Sequence, residues 1–278
     1  MKIKDTRSSI GTAVKYVLLV LGAILLMFPF VWMLLTSVKT LSEAVHIPPQ
    51  WLPAVPQWNN YVHAWSLAPF ALYFRNSIWI GALTVAGTLL LSILGAYAFT
   101  IYHFPCKGLL LTLFMLTMMV PNELLIIQNY VTISDLGLLD TFAGIILPTL
   151  ADGFYIYMLT EYFRQTPPSL FKAAKVDGCS DWRYLWRVMV PLNKNAIATV
   201  GILSFITSWN AFLWPMMVTQ SDAHRTVSVG LVLFKNTASS NVQYQMAAAC
   251  MVLLPMVVVY IIFRKKIIAG VASGGIKG

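Results

Sequence analysis

Two carboxylates, Glu123 and Asp152, fall inside apolar runs of a 278-residue chain that carries ten acidic side chains in all. An ionised group at the centre of a bilayer costs about 2.5–3.5 kcal/mol on insertion scales, so such residues face a bundle interior or a watered cavity rather than lipid. Asp152 could there offer acceptors to the hydroxyls of a passing solute. It could equally hydrogen-bond a neighbouring span or a sister subunit. Glu123 directly follows Pro121 and Asn122, nearer to water, and reads as structural. A second set is Ser208, Trp209 and Asn210, with Trp214 close by. Aromatic faces beside an amide suit a ring that is apolar on one face and hydroxylated at its edge. They suit an aromatic belt at the headgroups just as well, although an amide in lipid needs partners.

Enzyme chemistry finds no such foothold. The phosphate-cradling G-x-x-x-x-G-K-[ST] pattern is absent, and Gly270, Gly274 and Gly275 are not followed by Lys-Ser/Thr. HExxH and GxSxG are missing too. The three cysteines form no CxxC or Cys/His group, which speaks against a disulfide framework or a metal site. Any energy for work must come from a partner or an ion gradient.

The elements that position these residues are membrane spans. The chain is 58% hydrophobic and 10% charged, with mean hydropathy +0.73, whereas a soluble domain is about 25% charged. A bilayer core needs roughly 20 apolar residues per helix. Six segments qualify, at about 14–37, 77–102, 108–127, 142–163, 196–219 and 242–263. The first follows Lys2, Lys4 and Arg7 as a signal peptide would, but its apolar run is long and no small-x-small site follows, so a retained span is expected. Six spans put both termini on one side, and that side collects the Lys and Arg except for Lys39, Arg75, Arg225 and Lys235. The positive-inside rule makes it the cytoplasm. The net charge of +9 is thereby a topology signal, and a nucleic-acid partner is not expected. Residues 1–13 and 264–278 become cytoplasmic ends. Residues 38–76, 128–141 and 220–241 become external. The first of these external segments sets Trp51, Trp58 and Trp65 among five prolines, which suits the headgroup layer or a contact surface for an external partner.

One cytoplasmic insertion, residues 164–195, is polar, basic and helical in pattern. Thr166 can N-cap a helix with Pro167 at its first position. That helix runs through Leu170, Ala173, Ala174 and Asp177 and stops at Gly178, which tolerates a left-handed conformation. Ser180 can cap a second helix, ended by Pro191, on which Trp182, Leu185, Trp186 and Met189 form one apolar stripe. On physical grounds alone, the pair is an interfacial element on anionic lipid.

The stretch KAAKVDGCSDWRYLWRVMVPL resembles the EAA loop of ABC-importer permeases through Ala173, Ala174, Asp177, Gly178 and Val190–Pro191–Leu192. FPFVWMLLTSVK, GAYAFTIYHFP, LGLLDTFAGIILP, SWNAFLWPMM and GVASGGIKG are similar to the carbohydrate branch, of the maltose and glycerol-3-phosphate kind. The resemblance implies an all-α polytopic membrane protein of six transmembrane helices, the type I ABC importer permease fold. It implies that Lys172, Ala173, Ala174, Asp177 and Gly178 form a coupling helix docking on a cytoplasmic ABC ATPase dimer. Lys172 stands where the family carries glutamate, a reversal of charge. The tail from Gly270 resembles a segment that reaches toward the ATPase. The implied partners are a homologous permease subunit, the ATPase dimer, an extracytoplasmic sugar-binding protein, the sugar and membrane lipid. ATP and magnesium belong to the ATPase, with no cofactor in this chain. The expected place is a prokaryotic plasma membrane. The expected function is ATP-driven sugar import by alternating access, with Asp152, Ser208, Trp209 and Asn210 as candidates for the path. The alternative is a gradient-driven carrier using Asp152 or Glu123 as its ion site.

Overall fold

A chain this apolar must pair its own backbone groups, and helices are the structure that does so within one segment. The computed structural model describes the backbone of residues 6–238 and 240–275, and the side chains of residues 12, 14–238 and 240–264. Lys2, Lys4 and the last three residues of the tail lie outside the described residues. Among those described, every regular element is helical. Three helices are long and apolar enough to cross a membrane unbroken: Val14–Ser37 within α1 (Thr6–Ser37), α4 (Phe70–Ile101), and Val242–Arg264 within the last helix. Three more candidates are bent pairs: Lys107–Thr117 with Asn122–Asp135 at 90°, Phe142–Thr149 with Gly153–Arg164 at 49°, and Asp181–Leu192 with Lys194–Asn210 at 81°.

Breaks in the helices correct three expected continuous segments. The segment expected at 108–127 is helical only to Thr117, in α5 (Lys107–Thr117), before turning through a 3₁₀ segment, Asn122–Leu125, into α6 (Ile126–Asp135). Pro121 disfavours helical geometry at the residue before it, and the turn follows. The segment expected at 142–163 divides into α7 (Phe142–Ile146), a 3₁₀ turn holding Pro148, and α8 (Gly153–Arg164). The fifth, expected at 196–219, breaks between Asn210 and Leu213. α4 begins at Phe70, ahead of the expected Ser77, and the expected external segment 220–241 holds a helix, Val227–Ala238.

The residues form two compact units. The first runs to Ala68 and adds Leu231–Pro255. In it, α1 gives way to a single-turn α2 (Leu41–Ala44) and then to α3 (Asn59–Leu67). Asn60 closes the end of α1 by donating from Nδ2 to the carbonyls of Ser37 (2.9 Å) and Lys39 (2.8 Å). Those are groups a helix terminus otherwise leaves unpaired. Ser37 also bonds the Tyr61 hydroxyl at 2.7 Å.

The second unit, Pro69–Gly230 with Met256 onward, is organised on α4, which packs against α8 and α12 (Lys194–Asn210). Apolar burial gives little drive in lipid, so helices there associate through small residues that allow close approach. The buried face of α4 carries Ser77, Gly81, Thr84, Thr88, Ser92 and Ala96. A Cβ at Gly81 would meet the Phe205 ring of α12 at 2.8 Å. At one end, Asp140 ties two connections together. It accepts from the backbone amides of Gln220 (3.0 Å) and Ser221 (3.1 Å), and its own amide donates to Val218 at 2.7 Å. Nearby, Tyr73 donates to Asp222 at 2.7 Å, and Arg225 bonds the same carboxylate at 2.6 Å.

Desolvation alone would raise the Asp140 pKa. The hydrogen bonds from Ser221 and Gln220, with His224 close by, outweigh it and hold the group at about 2. A depressed carboxylate contributes stability above its unfolded pKa of about 3.9 and loses it as pH falls toward the folded value. The detergent-solubilised chain should therefore lose thermal stability between pH 4 and about 2. Asp140→Asn should lower the midpoint at neutral pH by about 2–4 °C, on the order of 1 kcal/mol, and flatten that acid limb. Differential scanning fluorimetry across pH checks both.

Candidate functional site

The insertion expected between residues 164 and 195 rests on a buried core drawn from α4, α8, α12 and itself. Ile93, Tyr97, Leu159, Phe163, Tyr184, Leu185, Met189 and Val200 form its centre. α9 (Pro168–Val176) lies over it. Its N-cap is Pro167, one residue later than expected. Thr166 does not cap; its hydroxyl instead accepts from Asn193 Nδ2 at 3.2 Å.

The end of α9 is as expected, with fuller geometry. Asp177 is the C-cap and Gly178 follows at φ +71. The Cys179 amide donates to Ala174 O (2.8 Å) and the Gly178 amide to Lys175 O (3.1 Å), the paired bonds of a Schellman motif. Lys172, Ala173, Asp177 and Gly178 are exposed and Ala174 is half-buried. Four of the five expected coupling residues thus form one open surface around a fixed turn, and Ala174 anchors it.

α10 (Asp181–Tyr184) is capped by Ser180, whose hydroxyl accepts from the Arg183 amide at 3.3 Å. The expected four-residue stripe divides. Leu185 and Met189 are buried with Tyr184, while Trp182 and Trp186 remain exposed, their rings edge to face at 5.6 Å. A π turn covers Leu185–Met189, and its i to i+5 bonding widens the helix there. α11 (Val190–Leu192) and Asn193 then lead into α12.

The structure adds a contact that sequence reading missed. Lys175 of α9 ion-pairs with Asp181 at 2.7 Å. Tyr97 of α4 donates to the Asp181 carbonyl at 3.2 Å. Asp181 thereby joins α9 to the end of α4. No local pattern links residues so far apart in sequence; a Lys six residues before an Asp across a Gly turn was the one available hint.

The expected path residues differ in their settings. Asp152 sits at the break before α8, not mid-helix, and caps it by accepting from the Phe154 amide at 2.8 Å. Glu123 is exposed on the 3₁₀ turn. Asn210 is exposed and Ser208 half-buried. Trp209 is buried, 2% exposed, between Phe74 and Phe205 at 6.0 and 5.9 Å. At this exposure Trp209 offers no open ring face to a solute in this structure. Trp214 donates to Ile145 O at 3.2 Å, from α13 (Leu213–Val218) to α7.

Residues 88–267 match the family described as binding-protein-dependent transport system inner membrane component. The chain is 29% identical over 266 residues to the sn-glycerol-3-phosphate transport system permease protein UgpE of Yersinia pestis, covering 93% of this chain and 95% of that one. It is 32% identical over 254 residues to the sulfoquinovosyl glycerol transport system permease protein SmoH of Agrobacterium fabrum, covering 91% and 89%. A solved chain from a bacterial ABC transporter involved in import of the acidic polysaccharide alginate has the same fold, with a TM-score of 0.84 at 24% identity over 95% of this chain and 99% of that one. The fold is the all-α, polytopic type I importer permease.

Two substitutions separate backbone roles from solute contact. Asparagine caps as well as aspartate, whereas alanine loses about 1 kcal/mol. If Asp152 acts only as a cap, Asp152→Asn should leave transport and thermal stability unchanged and Asp152→Ala should lower stability. Loss of transport in a stable Asp152→Asn chain would put it in the path. At Gly178 an added Cβ meets nothing within 4 Å, so Gly178→Ala carries only the left-handed penalty of about 1–2 kcal/mol. Hydrogen exchange at the Gly178 and Cys179 amides should speed up by at least about fivefold, with α8 and α12 unaffected.

Proposed function

This chain belongs to the family of binding-protein-dependent transport system inner membrane components, and from that membership we propose that it is the permease subunit of an ATP-driven importer that carries a sugar, a di- or oligosaccharide, into the cytoplasm by alternating access. The observation that carries this reading is the exposed face of α9, closed by its Gly178 turn and seated on the core of α4, α8 and α12. An exposed helix of small residues with a fixed end is what a cleft on a second protein can grip. The solutes named for the relatives are rich in hydroxyl groups, which supports a sugar as cargo.

In this reading a cytoplasmic ABC ATPase dimer, with its ATP and magnesium, docks on Lys172, Ala173, Asp177 and Gly178. A homologous permease completes the membrane part, and an extracytoplasmic binding protein delivers the sugar. Closure of the ATPase moves α9, and α9 moves α4 and α12 through the buried core. The termini and the 164–195 loop lie in the cytoplasm, as the distribution of Lys and Arg suggests. Six spans, about 14–37 to 242–263, make up the membrane domain. At Lys172 the cognate ATPase offers an acidic or neutral group in place of the basic residue that a glutamate would meet.

Ala173→Arg tests the docking face directly. Ala173 is exposed, so stability should change by no more than about 0.5 kcal/mol, while the ATPase fails to co-purify and ATP-dependent uptake by vesicles falls by at least about tenfold. Uptake by the chain alone, driven by a gradient and without the ATPase, would overturn the reading. Lys172→Glu should lower uptake with the native ATPase; a rise would count against a compensating partner.

A further inference from the structure

The segment between α1 and α3 exposes more apolar surface than a loop in water would carry. Val45, Ile47, Trp51, Leu52, Val55 and Trp58 are all exposed, Ile47 to 90% and Leu52 to 71%. A contiguous patch of this kind marks a surface that something covers. The segment's charges do not offset it. Lys39 is fully buried; its ammonium donates to the Gln50 carbonyl at 2.5 Å and lies 4.2 Å from the centre of the Trp32 ring. Glu43 is occupied by the Thr40 amide (2.8 Å), the Thr40 hydroxyl (2.9 Å) and the Ala54 amide (2.9 Å).

The segment also folds back along α1. The Trp51 ring meets Phe28 edge-on at 6.0 Å and Trp32 at 5.7 Å. At 1.5 Å per residue, Phe28 lies about 14 Å inside the end of α1 and Trp32 about 7 Å inside it. The apolar stretch of α1, Val14–Ser37, is about 36 Å long against a hydrocarbon core of about 30 Å. With that stretch centred, Phe28 lies about 4 Å and Trp32 about 10 Å from the bilayer midplane, so the Trp51 ring reaches below the headgroups into the acyl chains of one leaflet. Irregular backbone is excluded from the hydrocarbon itself because unpaired amides there are costly. Here Pro48, Pro49, Pro53 and Pro56 have no amide to leave unpaired. The Ala54 and Gln57 amides are paired, with Glu43 and with the Val38 carbonyl.

We propose that Val45–Trp58 is a lipid-embedded anchor that lies in the headgroup–acyl boundary at the C-terminal end of α1 and fixes the depth of that helix. Lipid is the occupant because the patch continues the exposed flank of α1, is reached from it by Trp51, and leaves neither charge of the segment free to recognise a protein. Tryptophan is also the side chain that prefers this layer. Lys39 serves the anchor from beneath, holding the loop against Trp32. The inference does not depend on which solute is carried or on what drives transport.

Spin labels at Ile47→Cys and Leu52→Cys test it, with Cys106 and Cys179 replaced by alanine and the buried Cys250 left in place. The full chain, assembled with its partner subunits, is reconstituted in phosphatidylethanolamine–phosphatidylglycerol vesicles and read by power saturation. Both sites should collide with oxygen more than with nickel-EDDA, by about threefold or more as expected for an interfacial apolar face. Predominant nickel collisions would place the segment in water and overturn the proposal. Low collision rates with both reagents would mean that a protein covers it, and would overturn it equally. Because labelling reads depth alone, the result stands whatever the outcome of the uptake experiments.

Discussion

Hydrocarbon offers no partner to a backbone amide or carbonyl, and the irregular features of this chain are arranged around that constraint. Four interruptions of a helix in the second unit are accompanied by a short polar side chain that occupies a group near the break. Thr117 bonds the Phe114 carbonyl at 2.7 Å where α5 ends. Thr149 bonds Ile146 at 2.8 Å, and Asp152 takes the Phe154 amide on the other side of the same break. Asn193 donates to Met189 at 3.0 Å where the chain turns into α12. Ser228 bonds the Trp209 carbonyl at 2.8 Å where α12 stops. An unsatisfied buried group costs about 1–3 kcal/mol, so these bonds decide whether a break can exist at all.

The same constraint explains what could be read from the sequence and what could not. The apolar runs around α1, α4 and the last helix were legible because they are long and uninterrupted. The breaks inside the third and fourth expected segments were not, although a proline lies beside each. Pro121 and Pro148 accompany bends, yet Pro29 and Pro255 lie inside continuous helices. A proline removes one amide and crowds one turn; whether the helix then bends depends on who receives the freed carbonyl, and that partner is tertiary. Asp152 shows what the tertiary view adds: a carboxylate in an apolar run reads equally as a solute site or a structural hydrogen bond, and the structure gives it a helix to cap.

The loop was the most legible region because its signals are local. A capping serine, a glycine able to adopt positive φ and a proline-led start act within four or five residues of themselves, and three dimensions add little to them. The π turn is the exception. Local spacing does not show it, and strict helical spacing put two exposed tryptophans on one stripe with the buried Leu185 and Met189. Trp209, a candidate for the path, is covered by rings from α4 and α12.

That core also determines how a push on α9 would travel. The Lys175–Asp181 pair is partly exposed on both sides, 44% and 37%, and pairs of this kind contribute up to about 1 kcal/mol. It orients α9 but is too weak to carry load. The Phe171 ring of α9 meets Tyr184 edge to face at 5.0 Å, and Tyr184 lies 6.5 Å from Tyr97 of α4. Tyr184 is 1% exposed. A close-packed interior transmits displacement because it has no space to absorb it. Any displacement of α9 would therefore reach α4 through three rings in sequence, and the charged contact beside them would keep α9 in register with Asp181.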